Sequence, residues 1–167
     1  MRRFSGVAVS PGVAEGKAFV LLRQDLSVTS RPAQDIEAEK KRLEDAAGAA
    51  VEELKRLIEG VRERLGTEFA HIFRSQQTIA EDEAILGEVA EQIQSQGVCA
   101  EAALQSVFNG YRALFDQLGD DDYNKGRGAD IEDVYKRILR NLLGLPEVKG
   151  AKFQCLTDPQ MQLQYHF

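Results

Sequence analysis

The sequence predicts a mainly α-helical protein, a four-helix antiparallel bundle with a short β-hairpin before it. Apolar residues recur at spacings of three, four and seven in several stretches between residues 31 and 144. Glycines or acidic turn residues separate these stretches, whereas residues 4–22 are β-prone and punctuated by glycine. Amphipathic helices joined by short connections bury their apolar stripes most simply as antiparallel neighbours.

Residues 4–22 are predicted to form two short strands around a turn. Val7 and Val9 alternate with smaller residues, Ser10-Pro11-Gly12 is a strong turn sequence, and Phe19-Val20-Leu21-Leu22 favours a strand. Because an isolated hairpin is only marginally stable in water, we expect more sheet or a helix to cover it.

The first helix follows a polar linker at residues 23–32. Ser30 is a candidate N-cap, Pro32 suits the first helical turn, and Gly66 is a plausible end. Its apolar stripe consists of Ile36, Leu43, Ala47, Ala50, Leu54, Leu57, Ile58, Val61 and Leu65.

The second helical stretch runs from about Glu68 to Ser95. Asp82-Glu83 interrupts it, so we expect a kink or a split into two helices near residues 80–83, and Gln96-Gly97 closes it. Its apolar stripe consists of Phe69, Ile72, Phe73, Ile79, Ile85, Val89 and Ile93.

The third and fourth helices follow in the same pattern. The third is expected near residues 100–118, and the fourth begins between Asp121 and Asp130, with Gly144 after its end. Gly126 and Gly128 are assigned to the loop between the two because glycine is costly inside a helix. The apolar stripes are Leu104, Val107, Phe108, Tyr111, Leu114, Phe115 and Leu118 in the third helix, and Ile131, Val134, Tyr135, Ile138, Leu139, Leu142 and Leu143 in the fourth.

Composition narrows the possible functions and the expected location. The formal net charge of -6 argues against nucleic acid, whose phosphates need clustered lysine and arginine, and leaves room for a basic partner. Cys99 and Cys155 have no metal-binding spacing and fit reduced cytosolic thiols. Met1-Arg2-Arg3 is not followed by a long apolar segment, so we expect no signal peptide, no membrane association and a cytoplasmic location.

The residues themselves suggest no catalytic centre. His71 lies on a helical pattern and His166 close to the C-terminus, and neither has a serine or cysteine arranged as a nucleophile. The acidic triplets Glu81-Asp82-Glu83 and Asp120-Asp121-Asp122 lack the calcium-loop spacing and suit helix starts. Residue chemistry alone therefore favours an acidic, protein-binding helical bundle over a metal- or nucleotide-binding one.

Three ordered groups of segments resemble one known family, the N-terminal part of Enzyme I of the phosphoenolpyruvate:sugar phosphotransferase system. The resemblance covers residues 4 to about 144. The segments are Gly6–Ala14 with Gly16-Lys17-Ala18, then Ala70–Phe73 with Glu81-Asp82-Glu83, and finally Asp122-Tyr123, Arg127–Val134 and Arg137–Gly144.

The resemblance implies a docking role within a phosphotransferase. In that family a helical domain, inserted in an α/β phosphohistidine domain, docks the phosphocarrier protein HPr, and phosphate passes from phosphoenolpyruvate through a histidine to HPr. The family's Gly-Gly-x-Thr-Ser-His segment, which carries that histidine, has no counterpart here, so we expect docking without catalysis by this chain alone. No catalytic residue, metal or cofactor is assigned, because magnesium is expected only for the full-length enzyme.

The resemblance also implies a domain division and a partner-binding surface. Residues 1–30 would be the hairpin and linker of an incomplete α/β domain, residues 31–144 the HPr-binding helical domain, and residues 145–167 a remnant of the α/β domain. Ile79, Ile85 and Phe115 would take the apolar contacts with HPr, and acidic residues its basic ones. The predicted partner-binding residues are Glu68, Phe69, Gln76, Ile79, Asp82, Glu83, Ile85, Phe115, Arg127 and Asp130.

Three positions depart from the family pattern, and two readings therefore stay open. Thr67 stands where an acid is usual, Gln76 where histidine is frequent, and Thr78 where the family is often apolar. The partner is HPr or a paralogous phosphocarrier, as in the nitrogen-related branch. The alternative function is a non-enzymatic interaction or regulatory module that binds such a carrier. Dimerisation in the family belongs to a C-terminal barrel absent here, so we expect a monomer.

Overall fold

A computed structural model describes residues 24–117 and 122–147. The predicted hairpin at residues 4–22 and residues 148–167 of the predicted tail lie outside the described residues. Within the described residues there are five helices: α1 (Ile36–Leu65), α2 (Thr67–Ala80), α3 (Glu83–Gln96), α4 (Ala100–Gln117) and α5 (Asp122–Leu142).

The predicted helical bundle, with its second helix split in two, is confirmed. Helix α1 packs against α2, α3 and α5 and touches α4, while α4 packs against α3 and α5, and α2 against α5. Gln24–Val148 forms one compact unit. Because α2 and α3 each have 14 residues and α1 has 30, the two short helices together match the length of the long one.

The divisions between the first four helices follow local sequence signals. Gly66 has φ 92° and Gly97 has φ 63°, backbone angles that favour glycine, and each amide donates to a carbonyl of the helix that ends there. Asp82 caps α3, since its side chain accepts hydrogen bonds from the backbone of Ala84 and Ile85. The predicted interruption near residues 80–83 thus has a definite cause.

The predicted start of the first helix is wrong. The cap is Asp35, whose Oδ1 accepts a hydrogen bond of 3.1 Å from the Ala38 amide, and the helix begins at Ile36. Pro32 instead lies in an isolated antiparallel bridge with Val98. Residues 30–32 do not start a helix, because Pro32 pairs through its backbone with Val98, more than sixty residues away in sequence.

The assignment of Gly126 and Gly128 to a loop is also wrong, because both lie inside α5. A Cβ at Gly128 would lie 4.0 Å from the Phe115 Cβ, so the glycine lies where α5 comes close to α4. Each internal glycine costs a helix about 1 kcal/mol relative to alanine, which packing along 21 residues can outweigh.

The core runs through the whole bundle and draws on every helix. Leu54, Val89, Leu104 and Leu139 are completely buried, from α1, α3, α4 and α5 respectively. Helix α2 contributes smaller residues, Ala70 and Ala80. No helix among residues 24–117 and 122–147 is long and apolar enough to cross a membrane.

Candidate functional site

Three apolar residues where α1 ends and α2 begins are exposed, although their spacing places them on predicted core stripes. Leu65 is 62% exposed, Phe69 56% and Ile72 57%. Phe69 and Ile72 are three residues apart and so neighbours on one face of α2. We call Leu65, Phe69 and Ile72 the exposed apolar group. Large apolar side chains left together at a surface are typical of an interaction site.

Farther along the same stripe of α2, Gln76 is covered instead of exposed. It is 4% exposed, and its Nε2 donates to Asp130 Oδ1 and to Asp133 Oδ2 of α5, each at 3.3 Å. The amide thereby holds two carboxylates of α5 beside α2. Gln76 and Asp130, both among the predicted partner-binding residues, are brought together here, and Asp133, which was not predicted, lies beside them.

The turn between α2 and α3 presents acidic side chains to solvent. Asp82 and Glu83 are both exposed. One oxygen of Asp82 is engaged in the cap, accepting from Ala84 at 2.9 Å and from Ile85 at 3.3 Å, so a charged group is held in place there. Glu68, the remaining predicted acid, is also exposed in the first turn of α2.

Tyr111 of α4 lies close to this acidic turn. Its hydroxyl donates to Glu88 Oε2 of α3 at 3.1 Å. Burial, together with the hydrogen bond to Glu88 and the charges of Glu88 and Asp82, raises the pKa of Tyr111 above its ordinary value of 10.0. The phenol therefore stays neutral at physiological pH and acts as a donor that ties α4 to α3.

The three residues predicted to make the apolar contacts are largely taken up by the core. Ile85 is only 9% exposed, and Ile79 and Phe115 are partly buried against the core. Ile85 therefore offers almost no surface to a partner, whereas Ile79 and Phe115 keep part of theirs, and the assignment of the apolar contacts to these three stays a prediction. Arg127, like Asp130, is partly buried.

The sequence did not predict that these apolar residues are exposed. The spacing of apolar residues shows which face of a helix they share, but it does not show whether another helix covers that face. Leu65, Ile72 and Leu114, which is 50% exposed, all fit the predicted stripes. The available signal was position, since Leu65 ends α1 and Leu114 lies in the last turn of α4. Near a helix end, neighbouring helices can stop short of a residue that has the correct spacing.

In residues 24–117 and 122–147, no group of three or more His, Cys, Asp or Glu side chains could hold a metal ion.

Comparison with known proteins identifies the relationship. The sequence model of the family described as PEP-utilising enzyme, N-terminal, matches residues 5–127. The phosphoenolpyruvate-protein phosphotransferase of Enterococcus faecalis is 39% identical over 140 residues, which is 84% of this chain and 24% of that protein. The protein of the same name from Bacillus subtilis is 35% identical over 145 residues, or 87% of this chain and 25% of that protein.

Solved structures show the same fold. A solution NMR structure of Enzyme I superposes with a TM-score of 0.68 at 27% identity, covering 72% of this chain and 49% of that one. The N-terminal domain of the nitrogen-type Enzyme 1 gives a TM-score of 0.65 at 24% identity, covering 73% and 51%. The chain spans about a quarter of the length of the curated relatives it matches. It belongs to the family of N-terminal regions of PEP-utilising enzymes.

Proposed function

We propose that the helical bundle is the HPr-docking part of a phosphoenolpyruvate-protein phosphotransferase. In the complete enzyme it would serve phosphoryl transfer from phosphoenolpyruvate, through a histidine, to HPr of the sugar phosphotransferase system. Family membership and the names of the relatives support this, and so does the resemblance of three ordered groups of segments to Enzyme I.

The observation that carries the proposal is the exposed pair Phe69 and Ile72 on α2, with exposed carboxylates in the first turn of that helix and just beyond its end. Phe69 and Ile72 lie between Glu68 in the first turn of α2 and Glu83 beyond its end. HPr offers an apolar patch ringed by basic residues, so an apolar centre with an acidic rim is its complement. We therefore assign the apolar contacts with HPr mainly to Phe69 and Ile72, in place of Ile79, Ile85 and Phe115.

In this proposal Gln76 acts on the docking surface through its neighbours. It is nearly buried, and its amide holds Asp130 and Asp133 in place. Asp130 would then meet a basic residue of HPr as a preorganised carboxylate, which lowers the entropic cost of the contact. Because Gln76 stands where the family often has histidine, it also makes the choice between HPr and a paralogous carrier worth testing.

The contribution of docking to the reaction is positional. Transfer between two imidazoles requires the donor nitrogen, the phosphorus and the acceptor nitrogen to be close to in line. A bundle that grips HPr fixes the acceptor and leaves the donor to be placed by the rest of the enzyme. We therefore expect this chain alone to bind HPr without transferring phosphate, and docking itself to need no metal or cofactor.

Titration of isotope-labelled HPr and of its nitrogen-branch paralogue with this chain tests the proposal. Saturable binding of one carrier at submillimolar concentration supports it, and absence of binding by both contradicts it. Glu83→Arg should weaken binding about tenfold, because it places a positive charge against basic residues. The matched control is Glu44→Arg, the same change at an exposed acid of α1 whose side chain is 72% exposed.

A second experiment separates the enzyme fragment from a regulatory module. A separately supplied phosphohistidine domain, phosphoenolpyruvate and HPr are combined with and without this chain. Restored phosphorylation of HPr supports the enzyme role. The chain is also added to a complete phosphotransferase with its HPr, and inhibition of HPr phosphorylation there favours a module that sequesters the carrier.

A further inference from the structure

Residues 24–35, which we call the strap, run across the bundle before α1 begins. The strap pairs with the α3–α4 connection, since the Ala33 amide donates to the Gly97 carbonyl at 2.8 Å and the Cys99 amide to the Arg31 carbonyl at 2.9 Å. Gln24 Nε2 also donates to the Pro146 carbonyl at 2.8 Å. The strap thus bridges segments that lie far apart in sequence.

The strap is attached by polar contacts and hardly by burial. None of its residues is buried, and its only apolar residues packed partly against the core are Leu26 and Val28. By contrast, each of α1, α3, α4 and α5 has residues that are completely buried. Segments with few buried apolar contacts open locally at a lower free energy than the whole domain.

One side chain of the strap, Arg31, reaches a pair of buried carboxylates. Its guanidinium lies 2.9 Å from Glu39 Oε1 and 3.7 Å from Glu101 Oε2. The side chains of Glu39 and Glu101 are only 7% and 10% exposed, whereas that of Arg31 is 47% exposed. Arg31 is therefore the more exposed of the two arginines that pair with these carboxylates, since the side chain of Arg42 is 38% exposed.

The other members of this cluster belong to the bundle itself. Arg42 of α1 pairs with both Glu39 and Glu101 and donates to the Leu142 carbonyl at the end of α5 at 3.1 Å. Glu39 Oε2 also accepts from the Ala100 amide at 3.0 Å, so it caps the start of α4. If Arg31 left, two carboxylates would remain with one arginine, which gives a definite electrostatic preference for the closed strap.

We propose that the strap is a clasp that opens independently of the helical bundle, and that Arg31 is its latch. In the closed state Arg31 neutralises the second of two enclosed carboxylates, and two backbone hydrogen bonds hold the strap against the α3–α4 connection. In the open state Arg42 alone serves both carboxylates, and the helices stay packed. Fully extended, the released strap would span roughly 40 Å.

Native-state amide hydrogen exchange on the whole chain tests this at defined positions. The Ala33 and Cys99 amides report the strap, because their partners lie across it, and the amides of Leu54 and Leu104 report the core. Exchange at the strap should be faster than in the core and nearly independent of added urea, since little surface is exposed on opening. Strap exchange that follows the urea dependence of global unfolding would overturn the proposal.

Arg31→Met identifies the latch. Exchange at Ala33 and Cys99 should rise roughly tenfold, the size expected for a charge-assisted hydrogen bond to an enclosed carboxylate. Exchange at Leu54 and Leu104 through global unfolding should rise by about the same factor, because unfolding breaks the same contact. Arg62→Met is the matched control, because the ion pair of Arg62 is with Glu59, another exposed residue of α1, and not with the carboxylates that Arg31 contacts. A rise at Leu54 and Leu104 without one at Ala33 and Cys99, or no rise at any of the four amides, would refute the role of Arg31.

Discussion

The two ends of α1 differ in what they bury: charged side chains are enclosed near its start, whereas apolar side chains are exposed near its end. Near the start of α1, a region that we call the base, the carboxylates of Glu39 and Glu101 are enclosed and paired with arginines. Near the other end of α1, which we call the far end, Leu65 is mostly exposed, and Phe69 is exposed on the helix that follows. Proteins ordinarily bury apolar groups and expose charged ones.

This contrast separates structural roles from binding roles. Enclosed charges with several partners hold helix ends together, because removing one partner leaves an uncompensated charge. Bare apolar side chains do little for a monomer but supply binding free energy when a partner covers them. We therefore expect substitutions at the base to change stability, and substitutions at the far end to change binding.

The largest expected effect compares two phenylalanines. Phe108 is 4% exposed and Phe69 is 56% exposed. Phe108→Ala should lower the free energy of unfolding by about 3–5 kcal/mol through the cavity it leaves, whereas Phe69→Ala should change it by less than about 0.5 kcal/mol. Phe69→Ala should instead weaken HPr binding about tenfold. Urea unfolding and titration with HPr measure the two, and a destabilised Phe69→Ala would break the comparison.

The next effect is expected at the base. Glu39→Ala removes one of the two carboxylates that pair with Arg31 and Arg42 and uncaps α4, so the free energy of unfolding should fall by about 2–3 kcal/mol. The value lies below that of a fully buried pair because both arginines are partly exposed. Glu44→Ala, at an exposed acid one turn farther along α1, should cost less than about 0.5 kcal/mol. Equal losses in the two variants would contradict a special role for the base.

The smallest effect is a change in pH dependence. Burial tends to raise the pKa of Glu39, but the Ala100 amide, Arg31 and Arg42 outweigh it, and the pKa lies below the ordinary 4.5. Burial likewise tends to raise the pKa of Glu101, but the hydrogen bond from Arg42 and its positive charge help to outweigh it, and the pKa lies below the ordinary 4.5. A lowered folded-state pKa stabilises the protein above pH 4.5, and this stabilisation is lost as pH falls further.

Glu101→Gln should therefore unfold at a lower temperature than the original protein at pH 7, and the gap between them should narrow below pH 4.5. Thermal unfolding at pH values from 7 to 3 measures both curves. Curves that stay parallel throughout would show that the Glu101 charge does not contribute.

The helices themselves were largely predictable because their limits depend on neighbouring residues. Gly66, Gly97 and the Asp82 cap act within one or two turns, and each produced the expected boundary. The errors arose where distant segments decided. Pro32 pairs with Val98, and Gly128 lies beside Phe115, neither of which local propensity can reveal.

The candidate site was predictable in composition more than in arrangement. The acids Glu68, Asp82 and Glu83 are exposed as expected, and Phe69 is too. Ile85 lies in the core, whereas Ile72 is exposed. The HPr contacts assigned to these residues remain predictions.

The sequence by itself determined the number of rods in the bundle, the split of the second one and the resemblance to Enzyme I, because periodicity, capping and motifs are written in contiguous residues. Only the tertiary structure decided which apolar side chains remain exposed to solvent and which charged side chains are enclosed. Glu39 and Glu101 lie 62 positions apart in sequence (101 minus 39), and they meet through Arg42 only once α1 packs against α4. Burial depends on which helices lie alongside a residue, and that is a property of the assembled bundle.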